Sequence, residues 1–137
     1  RLAYAQTPGG TGAIHQLLLL LRSTGFSGAV WISDPTWPNH GAILKHLGLN
    51  IKKYSYFDEE TCEVDFDKMQ EDMKDVQNQD VVILHGCCHN PTGANLSLDQ
   101  WRVLSDNFKE KRGSFTTKSI GNTKAKLIKS TLPNSIK

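Results

Sequence analysis

The sequence is poor in cysteine and in long apolar runs, and each scarcity excludes a class of protein. Its three cysteines are an odd number and two of them are adjacent, which argues against a disulfide framework and favours a reducing compartment. No Cys-x-x-Cys pair occurs, and adjacent thiols cannot easily reach one tetrahedral centre, so we expect no metal site. The longest apolar run, residues 17–21, is far too short to cross a membrane, and no basic-then-apolar secretory leader precedes it.

Acidic residues are missing from the last part of the chain. Residues 114–137 hold five lysines and no Asp or Glu, whereas residues 1–113 hold 11 Lys+Arg against 14 Asp+Glu. A basic tail can bind nucleic acid, but this one has no arginine and a single aromatic residue, Phe115, on which a base could stack. We therefore expect no nucleic-acid partner and no membrane partner. The tail is rich in Ser, Thr, Lys and Asn without clear periodicity, which predicts a disordered or loosely attached segment.

Helical and strand-like patterns alternate along residues 1–113, which is one domain's worth of chain at most. Helices are predicted from Thr11, over residues 40–47, from an N-cap at Asp65 and from a capping box at Ser97, and strands over residues 29–33, 51–56 and 80–85. This alternation predicts an α/β fold with a mostly parallel sheet that is covered by helices on both faces. The leucines of residues 17–21 widen the apolar face of the first helix, so we expect that helix to be buried on most sides.

Glycines dominate the first of three turns whose composition is typical of ligand binding. Residues 7–12, TPGGTG, come directly before the first helix. Glycines allow the backbone to approach an anion, and the first amides of a helix point at it, so this turn could hold a phosphate. The alternative is a plain glycine-rich helix start. The turn matches neither the Gly-x-Gly-x-x-Gly dinucleotide pattern nor the lysine-bearing nucleotide loop.

The other two turns follow predicted strands, where open α/β sheets bind ligands. Residues 34–40, DPTWPNH, place Trp37 between two prolines, where it could stack on a planar ligand or pack its turn onto the core. His40 could hydrogen-bond within such a site or be merely structural. Residues 85–93, HGCCHNPTG, contain Asn90, whose amide could donate to a phenolate or carboxylate and whose bond to the following proline could be cis. The alternative is an ordinary Asn-Pro turn.

In this order and separated by βα units, the three turns resemble those of the class I aspartate aminotransferases, which are fold-type I enzymes dependent on pyridoxal phosphate. The resemblance covers about residues 5–113. It is carried by QTPGGTGA at 6–13, DPTWPNH at 34–40, YSYFD at 54–58 and HGCCHNPTG at 85–93. The Asn-Pro-Thr-Gly turn is shared by many aminotransferases, whereas the Trp-Pro-Asn-His and Cys-Cys-His-Asn-Pro-Thr-Gly forms indicate the aspartate and aromatic amino-acid branch.

The resemblance implies a cofactor, pyridoxal 5′-phosphate, and a role for each matching position around it. Gly10 and Thr11 would hold the cofactor phosphate, with Gly9 beside them. Trp37 would stack on the pyridine ring, and its indole N–H would face the substrate carboxylate.

The remaining matching positions would surround the same ring. Asn90 would bond the phenolic oxygen of the cofactor and help to bind the substrate carboxylate. His40 and His85 would lie beneath the ring. The activity implied is transfer of an amino group between aspartate, or an aromatic amino acid, and a 2-oxo acid. The whole enzyme would be a homodimer in the cytosol, with the mitochondrion left open as its compartment.

After residue 113 the sequence departs from the family. Residues 114–137 match neither the strand whose acid pairs with the pyridine nitrogen, nor the Schiff-base lysine, nor the substrate-binding arginines. We therefore expect residues 1–113 to be part of the cofactor-binding large domain of a longer protein, followed by a non-family basic tail. On this interpretation the chain holds no catalytic residue and is inactive in isolation. The alternative is a truncated, non-catalytic product with residual cofactor binding or a subunit-pairing role.

Overall fold

The computed structural model describes residues 6–110, 114–118 and 126–128. The elements follow in the order α1 (Gly9–Ser23), β1 (Ala29–Asp34), α2 (Pro38–His46), β2 (Asn50–Ser55), β3 (Phe57–Asp58), β4 (Glu63–Val64), α3 (Phe66–Met73), β5 (Val81–His85), α4 (Leu98–Glu110), β6 (Ser114–Lys118) and β7 (Lys126–Ile128). Each predicted helix and strand is present, with ends that differ from the prediction by a few residues.

Five of the strands form one sheet in the order β2-β1-β5-β6-β7. The pairings β1 with β2, β1 with β5, and β5 with β6 are all parallel, and β7 is antiparallel to β6. The short strands β3 and β4 form a separate antiparallel pair. The predicted α/β fold with a mostly parallel sheet is confirmed, and the carboxyl ends of β1, β2 and β5 lie at one edge.

Alternate side chains of β1 and β5 enter two separate hydrophobic cores. One core contains Trp31, Val82 and Leu84 together with side chains of α3 and α4, and the other contains Val30, Ile32, Val81 and Ile83 together with side chains of α1 and α2. The strands are therefore buried on both faces, which explains why they are continuously apolar rather than alternating.

The prediction that the first helix is buried on most sides is wrong for the described structure. Only Ile14 and Leu18 of α1 are buried, whereas Leu19 and Leu20 are 39% and 60% exposed. The reason is that α1 lies in an outer layer and turns one stripe toward the sheet. Among the described residues, none of the helices combines the length and apolarity that a membrane crossing requires.

Side-chain hydrogen bonds cap the N-termini of two helices, as the sequence predicts. The Asp65 carboxylate accepts a hydrogen bond from the Lys68 amide at 3.1 Å and caps α3. At the start of α4 the Ser97 hydroxyl accepts from the Gln100 amide at 3.2 Å, and the Gln100 side chain accepts from the Ser97 amide at 2.8 Å. This reciprocal pair is the capping box expected from the sequence.

Strands β6 and β7 lie within the segment predicted to be disordered. Residues 114–118 pair with β5 over their whole length, and residues 126–128 pair with β6. For these residues the structure shows sheet instead. The other residues of 114–137 lie outside the described part of the chain, and the domain boundary after residue 113 stays a prediction.

A buried carboxylate joins the amino ends of β1 and β5. One oxygen of Asp80 accepts from the Ala29 amide at 2.8 Å, and the other accepts from the Trp31 indole at 2.9 Å and the Gln77 amide at 3.1 Å. Burial alone would raise the pKa of Asp80, but these hydrogen bonds and nearby Lys52 outweigh it and lower that pKa. Asp80 is therefore ionised and has a donor on each oxygen.

We expect Gly28→Ala to lower the free energy of unfolding by about 2 kcal/mol, because overpacking forces the backbone to move. A methyl group at Gly28 would lie 2.5 Å from the carbonyl oxygen of Gln79. Gly41→Ala is the matched control, since a methyl group there meets nothing within 4 Å and α2 should gain about 0.5–1 kcal/mol. Urea denaturation of both variants measures the difference in their free energies of unfolding. Equal values would contradict the expected clash at Gly28.

Candidate functional site

Two of the three predicted ligand turns leave the same edge of the sheet. β1 and β5 are parallel neighbours, so the turn after Asp34 and the turn after His85 both begin at their carboxyl ends. Five residues join the end of α1 to the start of β1 at the opposite edge, and Ile14 and Leu18 of α1 pack in the same core as side chains of β1. We infer from this that α1 runs back along the sheet. At 1.5 Å per residue its 15 residues span about 22 Å, close to the about 20 Å of a six-residue strand. The glycine-rich start of α1 therefore lies toward the same carboxyl edge.

Five aromatic side chains form a continuous row across this edge, which we call the ring row: Trp37, His40, His85, His89 and Tyr56. Ring centroids are 5.5 Å apart from Trp37 to His40, 5.1 Å from His40 to His85 and 4.5 Å from His85 to His89. Tyr56 stacks on His89 at 3.8 Å with an angle of 19°. The three imidazoles are buried and the indole is half-buried, so the row is a packed floor with Trp37 at its open end.

Hydrogen bonds orient the first two imidazoles of the ring row. Thr36 Oγ1 lies 2.8 Å from His40 Nδ1. The backbone amide of Asn90 donates to His85 Nδ1 at 3.1 Å. Because His85 Nδ1 accepts this bond, a neutral His85 carries its proton on Nε2. The bond also ties Asn90, whose side chain is exposed, to the last residue of β5.

The third imidazole is held on both of its nitrogens. His89 Nε2 lies 2.9 Å from the Ser33 hydroxyl, and Nδ1 lies 2.8 Å from the Thr92 hydroxyl. Burial and the neighbouring His85 lower the pKa of His89 to about 4. His89 is therefore neutral at physiological pH.

The lowered pKa of His89 predicts a stability that falls in mild acid. The unfolded chain binds a proton here near pH 6.5 and the folded chain only near pH 4, so stability is lost as the pH falls between these values. We expect His89 to contribute about 3 kcal/mol of this loss. In His89→Gln the free energy of unfolding should therefore depend less on pH. Denaturant titrations of both proteins at pH 7, 5.5 and 4 measure the effect. The same pH dependence of the free energy of unfolding in both proteins would contradict this expectation.

The start of α1 has the properties of an anion site. Gly9 adopts φ +64°, a conformation that favours glycine, and a Cβ there would meet nothing within 4 Å, so the space beside it is open. The Thr7 hydroxyl donates to the Gly9 carbonyl at 3.2 Å. Pro8 at the N-cap has no side-chain acceptor, and the first turn holds no acidic residue. The first amides of α1 can therefore donate hydrogen bonds to an external anion.

The structure brings together some of the sequence-predicted site residues by direct contact. Trp37, His40, His85 and Asn90 form a connected set, through ring contacts and the bond from Asn90 to His85. Gly9, Gly10 and Thr11 belong to a different element, the start of α1. The Asn90–Pro91 bond is cis, as the sequence suggested it could be, and so is Asp34–Pro35.

Sequence reasoning missed the part of the ring row formed by His89 and Tyr56. Neither residue was among the predicted site residues. Within the described part of the chain, no group of three or more His, Cys, Asp or Glu side chains is placed to hold a metal. The available signal for His89 was its place in the turn after β5, four residues beyond His85. Tyr56 gave no such signal, because its partner His89 lies far along the chain.

The family model for aminotransferase class I and II matches residues 2–115. The chain belongs to this family. The aromatic-amino-acid aminotransferase of Paracoccus denitrificans is 52% identical to this chain over 99 residues, which cover 72% of the chain and 25% of that relative. The aspartate aminotransferase of Escherichia coli (strain K12) is 43% identical over 105 residues, covering 77% of the chain and 26% of the relative. The chain thus spans about a quarter of the length of these relatives.

Solved structures of aminotransferases show the same fold. An aromatic amino acid aminotransferase with 3-indolepropionic acid superposes with a TM-score of 0.79 at 46% identity, covering 82% of this chain and 29% of the other. The aromatic-amino-acid aminotransferase from Burkholderia pseudomallei, covalently bound to pyridoxal phosphate, gives a TM-score of 0.80 at 36% identity and covers 84% and 29%. The similarity extends across most of the described chain.

Proposed function

We propose that this chain forms part of the pyridoxal 5′-phosphate site of an aminotransferase that moves an amino group between aspartate, or an aromatic amino acid, and a 2-oxo acid. The observation that carries the proposal is the connected set of Trp37, His40, His85 and Asn90 at the carboxyl edge of the sheet. Membership of the family supports it, as do relatives named for aspartate and for aromatic amino acids. One structural neighbour is covalently bound to pyridoxal phosphate.

The start of α1 fits the phosphate of this cofactor. A phosphate needs several donors and no nearby carboxylate, and the first turn of α1 offers backbone amides without an acidic side chain. Gly10 and Thr11 would donate to the phosphate oxygens, Thr11 also through its exposed hydroxyl. The open space beside Gly9 would allow the phosphate to approach the backbone.

Trp37 fits the flat ring of the cofactor. Its indole is half-buried, and the edge-to-face contact with His40 restricts its orientation from one side. The indole would stack on the pyridine ring and turn its N–H toward a substrate carboxylate. His40 and His85 would support the ring from beneath, since both imidazoles are buried.

Asn90 supplies the polar donor that such a site requires. Its backbone is bonded to His85 while its side chain is exposed, so the amide can donate to the phenolic oxygen of the cofactor and to the substrate carboxylate. When bound, pyridoxal phosphate supplies the electron sink for amino-group transfer. The roles of this chain's residues are to bind, orient and partly desolvate the reactants.

Proton transfer needs a base that the matching positions do not include. No lysine of the chain stands in the sequence context of the family's cofactor-binding lysine, so we expect the 137-residue chain alone to catalyse no transamination. The family match also ends at residue 115, which supports the alternative of a non-catalytic product with residual cofactor binding or a subunit-pairing role. An assay with aspartate, 2-oxoglutarate and added cofactor tests this, and measurable turnover would contradict it.

Titration with pyridoxamine 5′-phosphate tests the cofactor site without side reactions. This probe has an amine in place of the aldehyde, so it cannot condense with the many surface lysines. We expect saturable 1:1 binding that shifts the indole N–H resonance of Trp37, with Trp37→Phe identifying that resonance among the three tryptophans. Inorganic phosphate should compete with this probe, because both would bind at the start of α1. Absence of saturable binding, or shifts confined to Trp31 and Trp101, would contradict the proposal.

A further inference from the structure

His89 is buried within the site but is not among the residues proposed to bind the cofactor. It is 2% exposed and lies between His85 and Tyr56 in the ring row, away from Trp37. One of its hydrogen bonds is made to Thr92, within the turn that follows β5. The residue that follows His89 along the chain is Asn90.

The imidazole of His89 connects this turn to the neighbouring strand. Inside the turn, Nδ1 lies 2.8 Å from the Thr92 hydroxyl, which accepts from the Ala94 amide at 3.2 Å, and the Gly93 amide donates to the His89 carbonyl at 2.6 Å. Outside the turn, Nε2 lies 2.9 Å from the hydroxyl of Ser33 in β1, 56 residues earlier. A single ring therefore closes the turn and attaches it to the sheet.

Tyr56 holds the same turn from a second side. Its ring stacks on His89 at 3.8 Å, and its hydroxyl donates to the Ala94 carbonyl at 3.0 Å. Asn90 itself is fixed by the bond from its amide to His85. The backbone around Asn90 is thus anchored to β1, to β5 and to Tyr56, while the Asn90 side chain stays exposed.

We propose that His89 is a positioning residue for Asn90: fixed between the Ser33 and Thr92 hydroxyls, its imidazole sets the direction in which the Asn90 amide leaves the turn. The consequence for cofactor binding rests on the proposed function. His89 would act only through Asn90 and would not touch the cofactor.

The first experiment uses no ligand. In ¹⁵N NMR spectra of the 137-residue chain we expect His89→Phe, which keeps an aromatic ring for Tyr56, to shift the side-chain amide resonances of Asn90. Thr92→Val should shift them in the same direction by removing one of the two ring bonds, and Thr92→Ser should restore them. Trp31→Phe is the control, because it removes a buried hydrogen bond at the opposite edge of the sheet.

The second experiment is a double-mutant cycle with pyridoxamine 5′-phosphate. We expect about a tenfold loss of affinity in Asn90→Ala and a similar loss in His89→Phe, corresponding to one hydrogen bond. The double variant should bind no more weakly than Asn90→Ala alone, because both changes remove the same contact. Trp31→Phe should bind like the unaltered chain.

The outcomes separate the inference from the proposed function. Unchanged affinity in His89→Phe beside a loss in Asn90→Ala would overturn the inference alone, as would additive losses in the double variant or Asn90 resonances that do not move. Unchanged affinity in Asn90→Ala would contradict the role proposed for Asn90 and the inference with it. If His89→Phe does not fold, Thr92→Val and Thr92→Ser decide the same question.

Discussion

Replacing Asp80 with alanine is expected to lower the free energy of unfolding by about 4 kcal/mol, because removing a buried charge leaves its donors without an acceptor. The donors are the Ala29 amide and Trp31 indole, which are buried, and the Gln77 amide. Together they join the amino ends of β1 and β5, so the loss would reach the centre of the sheet. Urea denaturation at pH 7 measures the effect, and a change below about 1 kcal/mol would contradict it.

The matched variant Asp80→Asn separates charge from shape. It keeps one acceptor oxygen but turns an NH₂ group toward a donor, so we expect about half the loss at pH 7. The pKa of Asp80 is lowered below its ordinary 3.8 in the folded chain. Its charge therefore stabilises the fold above that ordinary value, and the contribution is lost as the pH falls through the folded pKa. The difference in free energy of unfolding between the unaltered chain and Asp80→Asn should become smaller in that acid range. A difference that does not change with pH would show that the charge of Asp80 does not contribute to stability.

Truncation of Trp37 to alanine is expected to weaken pyridoxamine 5′-phosphate binding by about 100-fold, which is the loss of a stacked aromatic face. Trp37→Phe keeps an aromatic ring but not the indole N–H, so about tenfold is expected there. The indole is the half-buried, open end of the ring row, and His40 holds it from one side. Isothermal titration calorimetry on each variant gives the ratio of dissociation constants.

Trp101→Phe is the control for this series. Trp101 is also a half-buried tryptophan, but it packs against the core formed with α3 and α4 and is not part of the ring row. Trp101→Phe makes the same chemical change as Trp37→Phe but lies outside the proposed site. Its affinity for pyridoxamine 5′-phosphate should therefore stay within twofold of that of the unaltered chain. A loss of less than twofold in Trp37→Ala, or equal losses in Trp37→Phe and Trp101→Phe, would rule out stacking on Trp37.

Local patterns predicted most of the secondary structure. The capping box of Ser97 and Gln100 and the N-cap at Asp65 depend on residues three positions apart, so they can be recognised without the rest of the fold. Burial of α1 could not be predicted in this way. Its leucines at 19 and 20 are as apolar as Leu18, and only the position of the sheet makes one buried and the others exposed.

The sequence by itself determined the order of the four helices, of strands β1, β2 and β5 and of the three turns, because helix periodicity, strand ends and glycine or proline turns are properties of neighbouring residues. It also carried the family motifs that contain Trp37 and Asn90. Only the tertiary structure decided that the turn after β1 meets the turn after β5, since parallel pairing of these strands brings their carboxyl ends to one edge. The contact of His89 with Ser33 has the same origin: 56 residues separate them, and no local pattern specifies a bond that depends on which strands lie side by side.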